Sequence, residues 1–381
     1  MAASQAGNPF SPAFGSTPPL LAGRDDVLGR FAEAAQAGPL HPDYTLLLTG
    51  ERGSGKTALL NALEADAAAR GWPVIAVAST SESVAARVAR DTAVLLERIR
   101  SSGSARLTSL NVLGIGLAWE RRTAADHGNP DLASTLEQLG RLLRDHDSGL
   151  LLTVDELHDV ERDDVRDIAG ALQMVTRRRL CPVAFVGAAL PLIAHTHLAD
   201  PGMTFFQRCA RAPLGPLDAA DTRRALLEPI LAASGSIDAD ALDEAVAATL
   251  GYPYMIQLVG YWAWRIGSDL AGPISHSTAQ AAIAEAERTM IEQIARPVWN
   301  RLSPMDKRFL TAMLDDDGDS SLEDVARRIG RSIQFARTYR SRLVGADAVE
   351  SGGRGRVRFK HRAMRACASA RRHDDLDLLD D

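Results

Sequence analysis

The stretch Gly50-Glu51-Arg52-Gly53-Ser54-Gly55-Lys56-Thr57 gathers three glycines, a lysine and two hydroxyls within eight residues. It follows the continuous apolar run Thr45-Leu46-Leu47-Leu48-Thr49 and precedes Ala58-Leu59-Leu60-Asn61-Ala62-Leu63, a good helix former. Glycines let a backbone wrap closely around phosphates, so that consecutive N–H groups and a helix N-terminus face the negative charge. The pattern predicts a nucleoside triphosphate site built from Gly50, Gly53, Ser54, Gly55, Lys56 and Thr57. Lys56 would reach the β- and γ-phosphates, and the Thr57 hydroxyl would ligate Mg2+. Of the 43 basic residues only Lys56, Lys307 and Lys360 are lysine, and one of these three stands where a compact ammonium suits a phosphate better than a planar fork. ATP and Mg2+ are the cofactors this implies.

A second acidic element is expected near such a loop, and Leu150-Leu151-Leu152-Thr153-Val154-Asp155-Glu156 has the form for it. A buried strand would deliver Asp155 to hold Mg2+ through water, and Glu156 to polarise an attacking water as general base. The plainer alternative is a strand ending in an acidic turn.

A third constellation lies near the C-terminus. Ser321-Leu322-Glu323-Asp324 has the S-x-x-[DE] capping form, and Leu322, Val325, Ala326 and Ile329 follow at helical spacing up to Gly330. Ser332 would cap a second helix with Ile333, Ala336, Leu343 and Val344 inward. Gln334, Thr338, Ser341 and Arg342 then point away, with Arg337 at the flank. A Gly-turn hairpin over residues 349–360 carries Arg354 in its turn and alternates Val357 and Phe359 inward with Arg356, Arg358 and Lys360 outward. A helix-turn-helix followed by a basic wing suits duplex DNA, the helix in the major groove and the wing on phosphates. A winged helix can equally pack on its own chain or on a partner protein.

These groups need scaffolds, and the rest of the sequence outlines them. Strand patterns at residues 45–49, 74–78, 150–154 and 183–186 alternate with helical patterns such as 25–36, 58–69 and 165–178, which implies an α/β layer fold with a parallel sheet. After Pro213-Leu214-Gly215-Pro216 only helical spacing remains, over 221–234, 238–250, 253–266 and 278–299. The expected organisation is an extended arm (1–19), a nucleotide-binding domain (20–213), a helical lid (214–299), a winged-helix domain (300–373) and an acidic tail (374–381). The formal charge of −6 is unevenly spread: residues 321–373 carry a net +10, the last eight −5, and everything before Ser321 −11. A basic module on an acidic body suits a polyanion or an acidic protein surface. No apolar run has the length of a membrane span and the start lacks a secretion pattern, so a cytoplasmic protein without membrane contact is expected. Cys181, Cys209 and Cys367 lie far apart and form no metal-type pair.

With these motifs in place, the chain resembles AAA+ ATPases of the kind found in archaeal and eukaryotic origin-recognition initiators and in the related signalling ATPases, over about residues 20–372. Besides the phosphate loop and the Asp155-Glu156 strand, Leu21-Ala22-Gly23-Arg24-Asp25 is similar to the family's "G-R-[DE]" motif ahead of the loop, which helps enclose the base. Gly251-Tyr252-Pro253-Tyr254 resembles the "G-x-P" element that opens a lid helix. The resemblance thus adds Gly23, Arg24 and Pro253 to the nucleotide site. It also implies an arginine finger offered to a neighbouring copy from Phe205-Phe206-Gln207-Arg208-Cys209-Ala210-Arg211, with Arg208 preferred over Arg211; the bland reading is a surface arginine.

Two departures bear on rate. The strand Val183-Ala184-Phe185-Val186-Gly187-Ala188 ends without the family's polar sensor residue, and the lid element lacks its arginine. The combined expectation is a slow, switch-like ATP hydrolase coupled to DNA through the winged helix. The alternative is an ATP-gated regulatory switch with an autoinhibiting winged helix and a protein partner.

Overall fold

A computed structural model describes residues 7–13, 15–80, 82–102, 131–177, 181–194, 196–267 and 272–376, with Ser102, Arg177, Pro201 and residues 372–376 described by backbone alone. The expected arm and acidic tail fall partly outside these residues, as does Arg178 at the end of one expected helix. The chain packs as two units, residues 6–235 with 249–257, and residues 236–248 with 258–381.

In the first unit, α1 (Asp25–Ala37) leads to β1 (Thr45–Gly50), α2 (Lys56–Ala69), β2 (Val74–Ala78), α3 (Val84–Ser102) and α4 (Leu132–Asp145). Then come β3 (Leu150–Asp155), α5 (Arg162–Arg177), β4 (Val183–Ala189), α6 (Thr204–Arg208), β5 (Ala210–Leu214) and α7 (Ala219–Ala232). The five strands form one parallel sheet in the order β2-β3-β4-β1-β5. Side chains alternate across it. Leu46, Leu48, Leu151 and Val186 pack with Phe31 of α1 and Leu59 and Leu63 of α2, while Leu47, Leu152, Val154 and Phe185 pack with α3 to α6. Burial on both faces is why these strands read as unbroken apolar runs. Truncating the fully buried Leu63 to Ala would cost about 2–5 kcal/mol.

β5 adds a strand that the sequence patterns did not include. Arg211 and Pro213 interrupt the apolar pattern, but at the sheet's edge only Ala212 and Leu214 turn inward, and a proline is tolerated there.

The second unit holds α8 (Ala239–Thr249), most of α9 (Pro253–Gly267) and α10 (His276–Met290). A π turn at Ile291–Ala295 joins α10 to α11 (Arg296–Arg301), close to Pro297, whose missing N–H breaks the regular ladder. Next come α12 (Pro304–Met313), β6 (Ser320–Ser321), α13 (Leu322–Arg328), α14 (Ile333–Gly345), β7 (Val349–Ser351), β8 (Arg356–Phe359) and α15 (Arg362–Leu376). Ser303 and Asp306 close a capping box at the start of α12. The helix-turn-helix and hairpin patterns appear as α13, α14 and β7–β8. β6 adds a third antiparallel strand, in the order β6-β8-β7. One inward assignment is corrected: Val344 is 41% exposed, because on α14 it lies one residue, about 100°, round the helix from the buried Leu343.

Candidate nucleotide site and basic C-terminal face

β1 ends at Gly50 and α2 begins at Lys56, so the glycine-rich loop is a strand-to-helix turn. Gly53 (φ +74°) and Gly55 (φ +89°) are left-handed, and a Cβ at Gly53 would lie 2.2 Å from the Tyr252 hydroxyl. No side chain caps α2, which leaves its first N–H groups for the loop's concave side. The Ser54 hydroxyl is buried with no hydrogen-bond partner. The Lys56 ammonium donates to the carbonyls of Gly50 and Glu51, 3.0 Å each. Burial pulls its pKa down, and the neighbouring Glu156 and Asp155 carboxylates pull it back up.

β4 lies between β1 and β3, so the ends of these strands open on one sheet edge. There the Thr57 hydroxyl donates to Asp155 Oδ2 at 2.7 Å, and Asp155 Oδ1 accepts the Glu156 N–H at 2.8 Å. Glu156 sits at φ +51°, an uncommon conformation for a non-glycine residue, with its side chain 42% exposed. A hydroxyl beside a carboxylate offers the oxygen donors Mg2+ takes, and an uncapped helix start with a buried lysine and an orphaned hydroxyl suits a phosphate. The residues present fit both groups.

The flanking motifs reach the same loop. Arg24 donates to the carbonyls of Ser54 (3.3 Å) and Gly215 (2.7 Å), just after the left-handed Gly23. Pro253 opens α9, and the preceding Tyr252 hydroxyl donates to the Arg52 carbonyl. Tyr252 was not singled out in the sequence; its only signal was its place inside the Gly251–Tyr254 element. Gly187 on β4 has no room for a side chain, since a Cβ there would lie 2.7 Å from Leu47 Cδ2. Arg208 is exposed at the end of α6, whereas Arg211 on β5 donates to the Phe206 carbonyl at 3.0 Å.

The basic face of the second unit is less open than its sequence implies. Gln334, Arg337, Thr338, Ser341 and Arg354 are exposed. Lys360 is not an outward cation: its side chain is 4% exposed and ion-paired with Asp347, because residue 360 follows the last ladder position of β8 and turns toward that carboxylate. Arg358 pairs with Glu350, Arg356 donates to the Asp319 carbonyl at 2.7 Å, and Arg342 reaches the buried Asp306 at 2.9 Å.

A parallel sheet with a glycine-rich loop after β1, an acidic end on β3 and a following helical region defines a P-loop fold of the AAA+ type. Residues 20–186 match the family described as AAA ATPase domain, and residues 292–366 match a domain of unknown function. Three solved structures share the fold over nearly the whole length. The Aeropyrum pernix ORC2 protein in its ADPNP-ADP complexes is 12% identical with a TM-score of 0.61, covering 96% of this chain and 98% of that one. A Walker-type ATPase of Pyrococcus abyssi is 14% identical with a TM-score of 0.63, covering 91% and 95%. Cdc6p from Pyrobaculum aerophilum is 14% identical with a TM-score of 0.51, covering 96% and 98%. No curated protein matches the sequence. Among the described residues no helix is long and apolar enough to cross a membrane.

Proposed function

We propose that the chain is a cytoplasmic ATP-driven switch that binds ATP with Mg2+ at the Gly50–Thr57 loop, hydrolyses it slowly, and acts on duplex DNA through a winged helix over residues 300–373. The observation that carries this reading is the meeting of Lys56, Thr57, Asp155 and Glu156 at the ends of β1 and β3. The N–H groups of Gly53, Ser54 and Gly55 would cradle the phosphates, with Lys56 on the β- and γ-phosphates. Thr57 and Asp155 would hold Mg2+, which when bound neutralises charge on the phosphate oxygens. Glu156 would take a proton from the attacking water. Gly23, Arg24 and Pro253 would line the base side, and Arg208 would reach a neighbouring copy's phosphates in a homo-oligomer. Slow turnover fits a β4 end without a polar side chain. That the similar ORC2 protein was determined with ADPNP and ADP supports the nucleotide assignment.

Titration with a fluorescent ATP analogue tests the site. Lys56→Ala should lose binding, while Glu156→Gln should bind normally and not turn over; hydrolysis unchanged in Glu156→Gln would remove it from the mechanism. ATPase activity that neither rises with protein concentration nor falls in Arg208→Ala would speak against the finger.

For DNA, the supporting face is Gln334, Arg337, Thr338 and Ser341 on α14 with Arg354 on the hairpin. Anisotropy of a labelled duplex should show salt-dependent binding that Arg337→Glu with Arg354→Glu abolishes. A second reading, a module that docks on a protein partner, is favoured by one observation: Arg342, Arg356, Arg358 and Lys360 already have partners within their own unit. Absence of salt-dependent duplex binding would select it.

A further inference from the structure

His158, three residues beyond Asp155, is buried with its side chain 3% exposed. Its two ring nitrogens face different things. Nδ1 accepts the backbone N–H of Leu190, the residue after β4, at 3.3 Å. A ring nitrogen that accepts from an N–H carries no proton, so the proton of the neutral ring sits on Nε2. Burial lowers the imidazole pKa and favours that neutral form. Nε2 is buried without a closed hydrogen bond, 3.4 Å from Glu156 Oε2 and 3.6 Å from Asp159 Oδ1.

Glu156, His158 and Asp159 have the ligand types for a divalent cation, with donor atoms within 4.8 Å of one another. The Leu190 N–H argues against that use, because a metal on Nε2 would need the proton on Nδ1, where a donor already points. The arrangement suits a donor aimed at a carboxylate instead. A second histidine strengthens the same seam: His197, beyond β4, donates from Nε2 to the Val160 carbonyl at 2.9 Å. The turn after β3 and the segment after β4 are therefore stitched together at two points.

We propose that His158 is a positioning residue for ATP hydrolysis: its Nε2–H steers the Glu156 carboxylate while its Nδ1 holds the end of β4. A backbone N–H just beyond β4 thereby does, through His158, what a polar side chain on that strand would otherwise do. Gly187 has no space for such a side chain, and Ala188 and Ala189 have no polar atoms to offer. The proposal rests on Glu156 being the general base.

The two halves of the imidazole can be kept separately. His158→Gln places a donor near the Nε2 position but offers no acceptor at Nδ1, and His158→Asn does the reverse. Single-turnover hydrolysis, ATP affinity and thermal melting would be measured for both and for His158→Ala, with Glu156→Gln alongside. Expected is a loss of about tenfold or more in kcat for the Ala and Asn variants, ATP affinity within about twofold of wild type, and recovery of most of kcat in His158→Gln. If His158→Asn hydrolyses like wild type while His158→Gln tracks a lowered melting temperature, His158 only braces β4 and the proposal falls alone. If Glu156→Gln turns over normally, the general-base reading falls and takes the proposal with it.

Discussion

Gly53 shows how closely the phosphate loop is fitted to its surroundings. Its φ of +74° would cost an alanine about 1–2 kcal/mol, and the added Cβ would overlap the Tyr252 hydroxyl at 2.2 Å. Gly53→Ala should therefore weaken ATP binding about tenfold or more, and adding Tyr252→Phe should recover part of the loss by removing the overlapping oxygen. Equilibrium titration with a fluorescent analogue checks both; a single variant that binds like wild type would mean the loop tolerates displacement. At this scale the phosphate residues were legible, because glycine, lysine and threonine at fixed spacing have few other uses together. His158 and Tyr252 were not. A lone histidine or tyrosine carries no spacing signal, and what gives each its setting is a backbone group remote in sequence, Leu190 for one and Arg52 for the other.

Among the elements, the turn from α8 to α9 has little freedom. Gly251 is left-handed (φ +70°), a Cβ there would lie 2.0 Å from the Leu217 carbonyl oxygen, and its own carbonyl accepts the Leu217 N–H at 2.8 Å. Gly251→Ala should destabilise the protein by about 3 kcal/mol, read as a lowered urea midpoint. The segment from α12 to α13 is held by a bidentate pair, Arg328 on Asp316 at 2.6 and 2.7 Å. The guanidinium hydrogen bonds bring the Asp316 pKa down to about 2. The unfolded carboxylate titrates near ~3.9, so this contribution is complete above about pH 4 and is lost as pH falls toward 2. Allowing for solvent screening it amounts to about 1 kcal/mol, and Asp316→Asn should remove that acid-limb slope from stability-versus-pH curves. Helices with capping residues were easy to place from sequence, as Ser321 and Ser332 show. β5 and β6 were not, since edge pairing, rather than side-chain pattern, makes them strands.

For the whole molecule, charge and its placement must be kept apart. The net +10 over residues 321–373 implies a broad basic face, yet the tertiary structure removes Lys360 from it and gives Arg342, Arg356 and Arg358 partners in the same unit. Reversing Lys360 to Glu should therefore act on stability, by about 3 kcal/mol or more, because it leaves Asp347 facing a like charge in a buried position. Reversing Arg354 should leave melting unchanged and lower the salt slope of duplex binding by about one. The sequence by itself determined the parallel α/β scaffold, the phosphate loop and the acidic strand end, since these depend on local period and on residue types few other structures need. Only the tertiary structure decided which cations remain open and that His158 joins Glu156 to β4. Those outcomes depend on which distant backbone groups and carboxylates the fold brings within hydrogen-bond reach, and no local pattern records them.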